Sequence, residues 1–500
     1  MWLRMWKYSE KAKSPYWYQR RRFLLTLYVA AAKNFPEGVA AFGGDAPPSI
    51  VVIGGGASGI FAAIHAAEKT EAQVTVLEAT RKTLHKVKIS GGGRCNVLHD
   101  VSKPPSELLQ GYPRGSKELR GILHKHFSPT QAAAWFTEHG VALKTESDGR
   151  MFPTTDSSQT IMDALLSAAA EARVAIRTQC KVLEINSNDG PPFRITFQQE
   201  SESQQCFADA VIVATGSSPW GYKLIRDQLE QPFVDTVPSL FTLNTAEDVV
   251  EGGTLQGLAG ISVDPAQISF RNPRKIPAEA GGKKKRKKKL QSLSQEGPLL
   301  ITHQGFSGPA ALRLSAFGAR EFAESRYQGE LVVNWVPNED TKQQPLEDTL
   351  WDFTQDSTLA STKVAQFCPL PETVIPKRLW IALVHRAIPD SATMSPRWAD
   401  LSKAKIRSLA QTLEKCTFQL TGKGTFKEEF VTAGGVSLAG VDMKTMQCKS
   451  TPGLFVCGEL INVDGVTGGY NFMNCWGTGY VAGTSAAEHV SCASEEITEV

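Results

Sequence analysis

Residues Ile50-Val51-Val52-Ile53 run without a break into Gly54-Gly55-Gly56-Ala57-Ser58-Gly59, and no other stretch restricts the fold of this chain so tightly. Four consecutive apolar residues suit a strand buried on both faces. Ile60 to Lys69 then reads as helix, alanine-rich with apolar positions at helical spacing, and Gln73 to Glu78 reads as a second strand, which makes a βαβ unit. In the G-x-G-x-x-G spacing, Gly54 permits the tight turn, Gly56 lets the backbone approach a pyrophosphate, and Gly59 packs helix on strand. Backbone N–H groups around Ala57 and Ser58, with the helix dipole, hold the phosphate charge. Glu78, closing the second strand, is placed to accept hydrogen bonds from both ribose hydroxyls. An acid there argues against a bound 2′-phosphate, so the tightly held dinucleotide is FAD or NAD rather than NADP.

Two later segments decide between them. Val211-Ile212-Val213-Ala214-Thr215-Gly216 resembles the strand and A-T-G turn that packs beside the cofactor in flavoproteins, and Gly453-Leu454-Phe455-Val456-Cys457-Gly458-Glu459 resembles their late strand and Gly-acid pair. Together with the early glycines they indicate one non-covalent FAD.

Strands so far apart in sequence require an insertion between them. The expected fold is α/β: a Rossmann-like FAD-binding domain interrupted by a small β subdomain and a helical one. The FAD domain is expected over 49–237 and 428–490, the β subdomain over 238–336, the helical one over 337–427, and a tail over 491–500. Short strands such as Leu299 to Thr302 and Leu331 to Trp335 mark the first insert, and the spacing of Leu379, Leu383 and Ala387 marks the second.

Charge is distributed unevenly. Met1 to Pro48 carries eight basic and three acidic residues, so the formal +3 becomes −2 without it, and −9 without Lys283 to Lys289 as well. That balance would repel nucleic acid over most of the surface, and a nucleic-acid partner is not expected. The lysine run matches a nuclear-localisation or nucleic-acid patch, yet its glycine and polar flanks also suit a solvated loop. Residues 1–48 have the basic, acid-poor character of an organelle-targeting peptide, with plastid favoured over mitochondrion. A disordered extension and a secretory signal are the alternatives, and without targeting the protein is cytoplasmic. Phe23 to Ala32 is half of the ~20 residues needed to span a bilayer. Nine cysteines without a C-x-x-C pair fit neither a disulfide framework nor a metal site.

Ser90-Gly91-Gly92-Gly93-Arg94-Cys95-Asn96 is a loop whose glycines allow close backbone approach to a ligand, with Arg94 free to face phosphate or the flavin edge. With Asp148-Gly149-Arg150-Met151-Phe152-Pro153, His303 to Pro309, Val431 to Val436 and Val466-Thr467-Gly468-Gly469-Tyr470-Asn471, it makes the chain resemble the BaiN/YhiN-type flavoproteins, also described as NAD(P)/FAD-dependent oxidoreductases or aminoacetone-oxidase-family FAD-binding proteins. The resemblance covers about Ser49 to Ala487 and implies a Rossmann-like FAD-binding domain interrupted by an inserted β-barrel-like subdomain and a helical subdomain. It implies that Gly91, Gly92, Gly93, Arg94 and Asn96 line the flavin site, and that Gly468, Gly469, Tyr470 and Asn471 close it opposite Gly458 and Glu459. The chain departs from the family pattern at Val97-Leu98-His99 and at Phe472 to Trp476, both near the expected substrate face.

The expected activity is that of an FAD-dependent oxidoreductase acting on a small organic molecule, with NAD(P)H as a transient co-substrate. No second G-x-G-x-x-G unit exists for it, so nicotinamide and substrate are expected to share one pocket between the FAD domain and the insertion. An FAD-dependent RNA-modifying enzyme and a non-catalytic redox sensor are the rival readings. No acid or base is assigned; Tyr470 and His303 are the motif residues able to serve, and Cys95 suits packing better than catalysis.

Overall fold

The computed structural model describes residues 47–187, 192–272, 293–337, 345–371, 374–424 and 431–498. Lys283 to Lys289 and nearly all of the basic leader lie outside these. The chain divides into two compact units, one formed by residues up to Thr236 and from Thr432 onward, the other by Val237–Val431.

The first unit is built on parallel strands. The buried run Ser49–Ile53 (β1) lies between Gln73–Leu77 (β2) and Ala210–Val213 (β4), with Ile53 opposite both Leu77 and Val213. Ala175–Arg177 (β3) extends the sheet beyond β2, and Leu454–Val456 (β5) lies beside β4. Two short antiparallel strands, Val441–Asp442 and Gln447–Cys448, complete a seven-stranded sheet. Because β1 is sandwiched between strands and covered on both faces, Ile50 and Val52 are fully buried, which accounts for the unbroken apolar run.

The helix after β1, Ala57–Ala67 (α1), is buried along most of its length. The long helix Tyr470–Thr498 (α2) packs on it through glycines: a Cβ at Gly479 would stand 2.8 Å from the Ser58 carbonyl oxygen, and one at Gly483 would stand 2.2 Å from that of Ala62. Two small three-stranded antiparallel sheets complete the unit, one of which contains Leu98–His99 and Arg150–Pro153.

The second unit carries a seven-stranded sheet in which all mapped pairs are antiparallel, centred on the long strands Ser262–Arg271 and Leu293–Thr302. Its two outermost strands, Cys416–Leu420 and Gly422–Lys423, are consecutive in the chain. One continuous segment therefore joins the two edges of the sheet, which brings them together in a barrel-like form. This corrects the expected helical span of 337–427, whose end is strand. Cys416, Phe418 and Leu420 are buried while Thr417 and Gln419 are less so, a period of two that a helix cannot produce. The helical part consists chiefly of Leu346–Gln355, Lys377–Ala387 and Lys403–Glu414, around the buried, stacked Trp380 and Trp398. No helix among the described residues is long and apolar enough to cross a membrane.

Candidate flavin and substrate site

The carboxyl ends of β1, β4 and β5 come together at the start of α1, the place where open parallel sheets receive their ligands. The glycines there divide by what surrounds them. Gly54 has φ +110°, and a Cβ on it would lie 2.5 Å from the Ala214 carbonyl oxygen, so the first turn and the A-T-G turn are packed backbone to backbone. A Cβ on Gly59 would stand 1.9 Å from the Gly54 carbonyl oxygen. A Cβ on Gly56 would meet nothing within 4 Å among the described residues beyond its own chain neighbours and helix backbone. Gly56 is also the N-cap of α1 and offers no side chain to its first N–H groups, which keeps that end open for an anion.

Glu78 stands where the second strand ends. Its Oε2 accepts from the Gly55 N–H (2.8 Å), and its Oε1 accepts from the N–H and hydroxyl of Thr80 (2.8 Å each). A carboxylate offers about four lone-pair sites, so a position on Oε2 is left for a ribose hydroxyl. The late Gly-acid pair closes the same region. Gly458 has φ +72°, and a Cβ there would lie 2.2 Å from Ser58 Oγ, so residues 400 positions apart require each other to be small. Glu459 pairs with Lys86 (2.6 Å), and Lys86 also bonds Ser217 (2.6 Å) just after the A-T-G turn and Gly216 (φ +59°). Buried Thr215 Oγ1 and Asn474 Oδ1 have no hydrogen-bond partner among the described residues. An open cradle at Gly56, a carboxylate with a free acceptor position and orphaned polar atoms beside it fit a bound dinucleotide.

The two motifs that carry the family resemblance meet each other. Asn96, with its amide oriented to satisfy both groups, donates to the Leu98 carbonyl (3.0 Å) and accepts from the Gly469 N–H (3.1 Å). A Cβ on Gly469 (φ +93°) would strike the Leu98 carbonyl oxygen, and Trp476 donates to the Val97 carbonyl (3.0 Å). Gly91, Gly92 and Gly93 all adopt positive φ, and the space above Gly92 and Gly93 is open. Arg94 is held by groups of the chain itself. Its guanidinium lies over the Phe152 ring, 3.9 Å from the centroid, and ion-pairs with Glu146 (2.7 Å). Asn471 clamps its own loop by a reciprocal pair of bonds with Gly465.

His99 shows what sequence reasoning missed. It is 7% exposed, stacks on Tyr470 with ring centroids 4.6 Å apart, and donates from Nδ1 to the Gly468 carbonyl (2.9 Å). Only a protonated Nδ1 can bond a carbonyl, so Nε2 of the neutral ring is an acceptor. Tyr112, fully enclosed, donates its hydroxyl to the Tyr470 carbonyl (2.7 Å). The only signal for this cluster was the departure at His99. His303 is exposed in the second unit.

Burial holds the His99 pKa below its ordinary value, against the opposing pull of the Gly468 carbonyl. The unfolded chain takes up this proton near pH 6.5, the folded chain only at lower pH. Over that interval the unfolded state binds more protons, so stability falls as pH drops below about 6.5. Titration of urea midpoints between neutral and mildly acidic pH should therefore show a shallower loss in His99→Gln than in the parent. Equal slopes would remove His99 from the account, and His489, whose pKa burial also lowers, would remain as a source of the loss.

The thiols are poor nucleophiles. Burial raises Cys95 and Cys475 to about 12 and Cys457 higher still. Cys95, at φ +61°, serves the turn and its packing rather than thiolate chemistry.

A family model described as HI0933-like protein Rossmann domain matches residues 48–485. A curated relative from Clostridium scindens, 3-dehydro-bile acid delta(4,6)-reductase, is 28% identical over 88% of this chain and 99% of its own length. The ribosomal RNA dihydrouridine synthase of Escherichia coli K12 is 27% identical over 86% of this chain and 96% of its own. Among solved structures, E. coli quinol fumarate reductase aligns at 15% identity and TM-score 0.42, over 90% of this chain and 71% of that one.

Proposed function

This chain belongs to the HI0933-like Rossmann-domain family and is an FAD-dependent oxidoreductase; from that premise we propose that it reduces a carbon–carbon double bond conjugated to a carbonyl, with NAD(P)H as the electron source. The cradle at Gly56 carries the cofactor half of this reading. When bound, FAD supplies an N5 atom able to take a hydride from nicotinamide and pass it to carbon. The chain's own residues orient it: the start of α1 and Gly56 receive the pyrophosphate, Glu78 a ribose, and the loops at Gly91 and Gly468 the ring system.

The substrate class follows from chemistry shared by the relatives' names. A 4,6-diene beside a 3-oxo group and the C5=C6 bond of uracil are both conjugated to a carbonyl. Each is reduced by one hydride at one carbon and one proton at its neighbour, so NAD(P)H and a solvent proton balance the reaction. In the ping-pong order, nicotinamide leaves oxidised before the acceptor binds.

Uracil in RNA is the second reading. Two of the curated relatives, from E. coli and Haemophilus influenzae, are named for it across 96% and 97% of their lengths. The run Lys283 to Lys289 supplies positive charge of the kind an RNA contact uses.

Anaerobic stopped-flow mixing tests the proposal. NADPH or NADH should bleach the flavin, and an α,β-unsaturated ketone or a uridine-containing ribosomal RNA fragment should restore the colour with a reduced bond detected by mass spectrometry. Flavin that neither nucleotide bleaches would overturn the nicotinamide assignment. Reduced flavin that neither acceptor reoxidises would overturn the substrate class.

A further inference from the structure

The segment from Ser106 to His124 forms an open concavity of about 470 Å³ on the surface of the first unit, floored by Leu109. Lys117, Arg120 and His124 line it, with Ser106, Ser116 and Gln110 around them. Every polar side chain in this set can donate a hydrogen bond, and no carboxylate belongs to it. Lys117 and Arg120 are three residues apart on the helix Ser116–Gly121 and share a face. Glu118, the acid within that helix, lies about 100° from Lys117 and 200° from Arg120 by helical geometry. Glu107, the other nearby acid, is taken by Lys103 (2.8 Å). No ion pair engages Lys117, Arg120 or His124 among the described residues. Lys117 and Arg120 thus bring two cations without a carboxylate partner among the described residues to one concavity, with the His124 ring beside them.

The cavity wall is fastened to the loop that carries Tyr470. A Cβ on Gly111 would lie 2.3 Å from the Tyr470 ring, Tyr112 bonds the Tyr470 carbonyl, and Arg114 pairs with Asp464. The FAD pyrophosphate, on the reading above, is received at a different element, the start of α1.

We propose that this cleft is a binding site for a phosphate ester, holding the phosphate of a reaction partner whose reactive end reaches the Tyr470 loop. It rests on the proposed function for the identity of that partner, and not for the site itself. The lysine and guanidinium supply charge-assisted bonds, and the hydroxyls complete the phosphate's acceptor demand. Two sources carry this group: the 2′-phosphate of NADPH and the phosphodiester backbone of RNA.

Equilibrium binding to the flavin-loaded protein separates them without requiring turnover. The probes are NADPH, NADH, and a uridine-containing oligoribonucleotide, each measured over a range of salt. The variants are Lys117→Glu/Arg120→Glu and the milder Lys117→Gln/Arg120→Gln, with flavin content and melting temperature as folding controls. Loss of about tenfold or more in affinity for NADPH, with NADH unaffected, assigns the site to the nucleotide. An equal loss for the oligonucleotide, with a salt slope flattened by about one unit or more, assigns it to RNA. Parent-like affinity of both variants for NADPH and for RNA overturns the proposal. Either assignment would stand if the ene-reduction assay failed, and either reduction could succeed with this site refuted.

Discussion

Replacement of Gly56 by valine is expected to give a folded but colourless protein. A Cβ there would meet no non-adjacent described residue within 4 Å, so the branch point of valine is accommodated, and the backbone (φ −83°) is accessible to any residue. What valine would occupy is the volume through which a pyrophosphate reaches the N–H groups of α1. A steric conflict of about 3 kcal/mol lowers affinity by about a hundredfold. The contrast with Gly59 makes the result diagnostic. There a Cβ would stand 1.9 Å from the Gly54 carbonyl oxygen, and Gly59→Val should damage folding itself. Absorbance of the purified proteins, alongside thermal melts of the cofactor-free forms, separates the two effects. A yellow Gly56→Val protein with the parent's flavin content would show that the pyrophosphate lies elsewhere.

That contrast also shows what sequence could carry. Buried parallel strands announce themselves because both faces must be apolar, so Ile50 to Ile53, Ala210 to Val213 and Leu454 to Val456 were legible as strands of one sheet despite their separation. Glycines that only glycine can satisfy were legible as motifs, and Gly54, Gly59, Gly458 and Gly469 stand at close approaches. Side-chain pairing across long intervals left no such pattern. His99 and Gly468 are 369 residues apart, and Lys86 and Glu459 are 373 apart, so no spacing rule links them. Arg94 is a further case: its motif suggested phosphate or the flavin edge, and its ion pair with Glu146, 52 residues away, has no signature in the spacing. In the second unit, the alternation at Cys416 to Leu420 was present but short, and three helices before it made continuation seem the simpler pattern.

The largest stability effect is expected at Arg114. Asp464 is completely buried and its carboxylate is held by the Arg114 guanidinium through both Nε and Nη2, a bidentate pair that places two bonds on one planar acid. Arg114 itself is partly exposed, at 17%, so it retains contact with water that Asp464 has lost. Removing the arginine leaves a buried carboxylate without its principal counter-charge, a change that costs about 3 to 5 kcal/mol in buried pairs. The partial exposure of Arg114 points to the lower end, about 3 kcal/mol, because water screens the lost attraction. Arg114→Leu should therefore lower the urea midpoint substantially. Asp464→Asn should cost less, and Arg114→Leu/Asp464→Asn should be more stable than the two single losses add up to, since the second substitution removes the charge the first one strands. The local consequence is equally specific. The pair bridges the Tyr112 segment to the loop that leads into Gly468 and Tyr470, so hydrogen exchange should quicken in residues 462–471 before it does in β1 or β4. Additive losses in the double variant, or exchange that rises evenly through the sheet, would mean that the pair is an incidental contact and that the Tyr470 loop is held by its other partners, Tyr112, Asn96 and His99 among them.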